Sequence, residues 1–294
     1  MNKTRKNNKN NKNKTLKKNK PHYLTVSDIH KIAYYTYGNK NNEPIFVIHG
    51  GPGGRSKIKM LKFFNLKKHF VVFIDQRGCG KSKPFGELKD NNTSNLIHDI
   101  ERIRTHLNLN KINIVGFSWG SYLSLSYSIK YPQNIKKIVV GGVYLCKKEE
   151  YNDFERGDLL KKIYPDVFHE LGVANFKRTD KHVLNNLLRE RYTNKLTPDN
   201  KKINHLTKKD KLETIMYMHY IENNCFSRDL LNKIDKIKDI PVIIIQGRYD
   251  IITPAYYAFE LHKKLPKSKI YFTTSGHKIE KEDKDLLLKI FKKL

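Results

Sequence analysis

The stretch INIVGFSWG, residues 112–120, decides how the rest of the chain is read. Ile112, Ile114 and Val115 form a short apolar run, and a helix is predicted from Trp119 to about Lys130. Gly116-Phe117-Ser118-Trp119-Gly120 is therefore a G-x-S-x-G at a strand-to-helix junction, the context this motif requires. There the serine sits on a sharp, strained turn that lifts its hydroxyl above the sheet, and side chains in place of the glycines would clash. A lone G-x-S-x-G occurs often by chance; the flanking strand and helix make this one specific.

Working outward, PIFVIH (44–49) and HFVVFID (69–75) are continuous apolar runs ending in glycine-rich turns, as in central parallel strands covered on both faces. YLTVSDIHKIAYYTYG (23–38), interrupted at Ser27-Asp28, predicts a hairpin or two early strands. Leu96, Ile100, Ile103 and Leu107 recur at helical spacing over 93–107, with Thr93 or Ser94 able to cap the start. KKIVVGG (136–142) completes a β-α-β run, and the alternation resumes with PVIIIQG (241–247), a helix over 254–264, KIYFTT (269–274) and a helix over 280–293. Between Cys146 and Ile234 it gives way to a helix-rich, charged stretch interrupted by Pro165 and Pro198. The expected fold class is α/β: an α/β-hydrolase with a mostly parallel central sheet flanked by helices and an inserted helical cap. Residues 22–146 and 235–294 would form the core, 147–234 the cap, and 1–21 a disordered basic tail.

With 294 residues the chain accommodates one such domain plus an insertion, while two independent catalytic domains would be crowded. The net charge of +29, from 58 Lys+Arg against 29 Asp+Glu, first suggests a nucleic-acid or anionic partner. However, residues 1–20 alone hold nine of the positives and no acid, and Lys, Asn and Ile are enriched throughout, as an AT-rich coding bias produces. A solvated low-complexity tail is thus favoured over a nucleic-acid-binding arm. Cys79, Cys146 and Cys225 lie far apart in no ligand spacing, so neither a disulfide framework nor a metal site is indicated, no cofactor is called for, and a reducing, cytoplasmic setting is expected. No run approaches the ~18 apolar residues of a membrane span, and no apolar region follows the N-terminal charges, so no membrane association is expected.

A serine hydroxyl is a weak nucleophile, so Ser118 needs a base within hydrogen-bond reach and an acid to hold that base's tautomer. Asp250 follows PVIIIQGRY at the end of a late strand, and His277 follows the next strand in TTSGHKIE. Of the 12 histidines, only His277 combines the Ser-Asp-His order, a loop position and this spacing to Asp250. The tetrahedral oxyanion needs preorganised donors. The Trp119 backbone N–H is one source, and the loop His49-Gly50-Gly51-Pro52-Gly53-Gly54 is the other. Asp75, Gln76 and Arg77 of DQRGCGKS (75–82) are read as a buried polar network that fixes neighbouring loops; the segment lacks the first glycine of a phosphate loop.

HGGPGG, DQRGCGKS, GFSWGS (116–121), GRYDIITP (247–254) and SGHKIE (275–280), in this order over about 230 residues, resemble the proline iminopeptidase family of prolyl aminopeptidases. The first two are much more specific than the nucleophile turn. The resemblance implies metal-free removal of N-terminal proline from peptides with a free N-terminus. It also implies Ser118, Asp250 and His277 as the triad and Gly51 and Trp119 as oxyanion donors.

An aminopeptidase must also bind a protonated amine, for which this family supplies acids from its cap. Setting MHYIENNCF (218–226) against the family's His-Tyr-Phe segment puts Tyr217 where a glutamate is usual. Glu190, Glu213 and Glu222 are the neighbouring candidates, with Glu190 the best fit to the second cap acid. The alternatives are a carboxylester or amide hydrolase on the same scaffold without amine recognition, and a basic nucleic-acid-binding protein.

Overall fold

The computed structural model describes residues 19–154, 157–172, 206–226 and 230–294, together with 181–182, 184–185 and 188. Eight strands among them form one sheet: β1 (His22–Thr25), β2 (Lys31–Tyr37), β3 (Glu43–Ile48), β4 (His69–Ile74), β5 (Ile112–Ser118), β6 (Ile135–Val143), β7 (Val242–Gly247) and β8 (Ser268–Thr273). Their spatial order is β1-β2-β4-β3-β5-β6-β7-β8. β2 pairs antiparallel with β1 and with β4, and every other neighbouring pair is parallel.

The β-branched and aromatic runs fill the centre because both faces of the sheet are covered, so alternate residues serve opposite cores. Phe46, Ile48, Val72, Ile74, Ile112 and Ile114 belong to one cluster; Ile45, Val47, Val71, Phe73 and Val115 belong to the other. Helices α1 (Thr93–His106) and α2 (Trp119–Lys130) cover the first face. On the second face a C-terminal helix brings Leu287, Ile290 and Phe291 against Phe64 and the strands. The cap of α1 differs from the sequence expectation: Asn92, not Thr93 or Ser94, is the capping residue and accepts from the Asn95 amide at 3.0 Å. Buried Thr93 instead donates its hydroxyl to the Cys225 carbonyl.

Register places the site. Ile48 lies opposite both Ile74 and Gly116, and Gly247 opposite Thr273. The segments that follow β3, β4, β5, β7 and β8 therefore emerge together at the C-terminal edge of the parallel strands, where ligands of open α/β sheets bind.

Outside the strand–helix alternation lie α3 (Lys148–Phe154), α4 (Asp158–Ile163), α5 (Pro165–Leu171) and α6 (Lys208–Glu222). Leu160, Val167 and Leu171 pack with Ile251, beside Asp250. α6 begins with a capping box in which Thr207 and Asp210 exchange hydrogen bonds. α7 (Ala255–Lys264) and α8 (Lys281–Phe291) complete the core. Residues 1–18, most of the basic tail, lie outside the described residues; Asn19 hydrogen-bonds to Tyr37 and Thr36 of β2.

The expectation of no disulfide is corrected: Cys146, just past β6, is bonded to Cys225, just past α6, with Cα atoms 6.5 Å apart. The fold brings together two cysteines 79 residues apart, and no local spacing signals such a pairing. Beside it, buried Glu150 accepts from the Leu145 and Lys147 amides, and burial pushes its carboxyl up to about 8. No helix among the described residues is long and apolar enough to cross a membrane.

Candidate active site

Ser118 ends β5 with φ 58° and ψ −131°, a left-handed conformation that a non-glycine residue holds only at a cost of about 1–3 kcal/mol. The turn is possible because a Cβ on Gly116 would collide with the Gly120 carbonyl, and one on Gly120 with the Ile48 carbonyl. The Ser118 hydroxyl oxygen lies 3.0 Å from Nε2 of His277. On the other side of that ring, Nδ1 lies 2.8 Å from Oδ2 of Asp250. An ionised carboxylate can only accept, so Nδ1 carries the proton and Nε2 is left to accept from Ser118.

Asp250 is buried and held from several sides. Oδ1 accepts from the Ile252 and Thr253 amides, both at 2.9 Å, an Asx-type turn. Oδ2 accepts from the Thr253 hydroxyl at 2.7 Å and from Nε2 of Gln246 at 3.3 Å. The sequence reading passed over Thr253 and Gln246, although the Asp-x-x-Thr spacing within GRYDIITP was a usable signal. The carboxylate has no freedom to turn from the imidazole, which is what an orienting acid requires.

The glycine-rich loop lies against Ser118: a Cβ on Gly50 would sit 3.2 Å from its Cβ and 3.7 Å from its Oγ. Gly51 follows with φ 138°, a conformation closed to other residues. Trp119 opens α2 directly after the serine and is buried among Tyr122, Tyr144 and Tyr220, with ring centroids 5.0, 6.4 and 4.8 Å away.

The DQR segment after β4 ties this edge together. Asp75 accepts from the Ser56 amide at 2.7 Å and the Lys81 amide at 2.9 Å. Gln76 bonds to His49 and Trp119. Arg77 makes a two-pronged ion pair with Asp99 of α1, at 2.6 and 2.9 Å, and donates to the Asp90 carbonyl. Burial pushes the Asp99 carboxyl up, and the guanidinium opposes that rise. Cys79, in the same turn, is a free thiol that burial pushes far up, so it is held as an inert apolar filler.

The sequence-selected cap residues are not equally placed. α6 lies over the glycine-rich loop, with the Glu213 carbonyl where a Cβ on Gly53 would be. The Glu213 carboxylate pairs with Lys209 at 2.9 Å. Tyr217 is one turn on, along the same face of α6. Glu222, nine residues beyond Glu213, is exposed and lies half a revolution around the helix, about 13–14 Å along its axis. Glu190 lies outside the described residues.

Residues 43–282 match the model of the alpha/beta hydrolase fold family. A proline iminopeptidase of Neisseria meningitidis is 33% identical over 284 residues, covering 87% of this chain and 89% of the relative. A proline iminopeptidase of Arabidopsis thaliana is 31% identical over 287 residues, covering 86% and 74%. Among solved structures, MGS-M2, an alpha/beta hydrolase from a deep-sea metagenome library, superposes with a TM-score of 0.65 at 19% identity, over 92% of this chain and 97% of that one. The proline iminopeptidase of Mycobacterium smegmatis does so at 0.62 and 16%, over 93% and 98%. Sequence relatives and fold agree, and the chain belongs to the proline iminopeptidase family of α/β-hydrolases.

Proposed function

We propose that the chain is a serine aminopeptidase that releases N-terminal proline from peptides through an acyl-enzyme. The observation that carries it is the continuous Ser118-His277-Asp250 relay, with the Glu213 backbone of α6 resting against Gly53 of the glycine-rich loop. In this reading His277 Nε2 takes the proton as Ser118 Oγ attacks the prolyl carbonyl. The Trp119 and Gly51 amides hold the oxyanion, and the imidazolium returns its proton to the leaving amine. Water then repeats the sequence on the acyl-enzyme. Glu213, with Tyr217 beside it, is the proposed site for the substrate ammonium, which would compete with Lys209 for the carboxylate.

The test compares prolyl arylamide with a free amine, its N-acetylated form and a simple activated ester. Turnover of the free-amine arylamide but not of its N-acetylated form is expected, with the activated ester also hydrolysed; turnover of ester alone would overturn the peptidase reading. Glu213→Gln should raise KM for the free amine by about 10–100-fold, the loss of one charge-assisted contact, without slowing ester hydrolysis.

A cytoplasmic location belongs to the same proposal. The Cys146–Cys225 bond favours an oxidising environment and weighs against it. A thiol count on freshly extracted protein decides between them.

A further inference from the structure

We propose that Gln76 is a positioning residue that sets the separation of the two oxyanion donors. This rests on the serine-hydrolase part of the reading above and is independent of the choice of acyl group. Gln76 is buried, and its side-chain amide is used at both ends. Nε2 donates to the His49 carbonyl at 2.8 Å, and Oε1 accepts from the Trp119 indole N–H at 2.9 Å. Its backbone N–H also donates to Nε2 of His49 at 3.1 Å. That bond fixes the His49 tautomer: Nε2 is the acceptor, so Nδ1 carries the proton and donates to the Gly50 carbonyl at 2.8 Å.

One residue thereby grips both strand outlets that flank the nucleophile. His49 opens the loop that carries Gly51, and Trp119 supplies the amide directly after Ser118. The indole is fixed on its other sides by the Tyr122 and Tyr220 rings, so the Gln76 bond is the polar tie between it and the loop after β3. Among the described residues the Gln76 side chain bonds to these two residues and to none of the triad. Its effect passes through the distance between two backbone amides that must both lie within ~2.7–3.1 Å of the developing oxyanion. A misplacement of a fraction of an ångström there acts on the transition state rather than on bound substrate.

The experiment measures Gln76→Met and Trp119→Phe, which break the same bond from either end, and the double variant. Each is assayed with prolyl arylamide and with a small activated ester, and rates are divided by active sites counted with a fluorophosphonate. A proline-derived aldehyde, whose adduct oxygen enters the oxyanion hole, is titrated alongside free proline. For Gln76→Met we expect kcat per active site to fall by about 10–100-fold on both substrates with KM unchanged. Aldehyde affinity should fall by the same factor while proline affinity is kept. Trp119→Phe should move the same parameters, and the double variant should be no worse than Gln76→Met alone. Unchanged kcat per site, an effect confined to KM, or additive losses would overturn the proposal. If Gln76→Met fails to fold, Trp119→Phe alone reads the bond. Wild-type protein inert on both substrates would refute the functional reading itself, an outcome distinct from a normal wild type with an unaffected variant.

Discussion

The C-terminal sheet edge and the helices above it are held by different means. At the edge each working side chain is pinned at several points: Asp250 by two amides, a hydroxyl and the imidazole, and Gln76 by His49 and Trp119. The helical region meets the core through separate ties. Among them are the Cys146–Cys225 bond, the Lys147–Glu260 ion pair, the Tyr257–Asp153 hydrogen bond, the small cluster around Ile251, and Met216 and Tyr220 of α6 packed into the main core, with the Tyr220 hydroxyl on Asn91. Bond-making geometry tolerates errors of only a fraction of an ångström, and so it is built into sheet outlets. Under the proposed function, substrate choice would fall to this attached region and leave the geometry at the edge undisturbed.

The contrast is broken most severely at its rigid side. Ser118→Ala should lower turnover on the order of 10⁴-fold or more with an unchanged fold, read from initial rates and far-UV circular dichroism. Activity near the wild-type level would mean that the relay is not the engine.

A smaller effect is expected at the ties. Cys146→Ser opens a loop with 79 residues of separation, which on chain-entropy grounds removes about 4 kcal/mol of stability, measured as a shift in urea midpoint. The reaction of Ser118 with a small activated ester should be unaffected at low denaturant. An unmoved midpoint would show that the bond does not form in solution.

The subtlest difference lies in pH. Burial lowers the folded-state pKa of His49, so its contribution is present when neutral and is lost as pH falls below about 6.5, where the unfolded chain takes up the proton. Glu150 has the opposite sign. Its folded pKa is raised to about 8, so its contribution is complete below the ordinary carboxylate range and is lost as pH rises towards 8. Denaturant midpoints should decline as pH rises from about 6.5 to 9, and Glu150→Gln should flatten that alkaline decline; below about 6.5 the two contributions oppose, so the same substitution should steepen the acid flank. An alkaline flank that survives this substitution would remove Glu150 from the account.

The central strands were legible because two-sided burial demands continuous apolar runs, which HFVVFI and INIV supply without ambiguity. The nucleophile turn was legible because glycine is required where backbone meets backbone. The helix cap was misread by one residue, since Asn92, Thr93 and Ser94 are all chemically able to cap. The disulfide, and the particular bonds of Gln76 within the buried network expected of Asp75-Gln76-Arg77, were hidden for a different reason. Each joins residues that only the folded chain brings together, so neither leaves a local pattern. The cap acids were the least legible, because a glutamate on a polar helix reads the same whether it meets solvent or substrate.

The Cys146–Cys225 bond also makes residues 146–225 a covalently closed loop, rooted at the end of β6 and beyond α6. A single cut by a foreign protease anywhere between residues 147 and 224 would open the loop without separating the pieces. Such a nicked chain would migrate as one species without reductant and as two with it, keeping both the nucleophile-bearing and the His277-bearing fragments in one molecule.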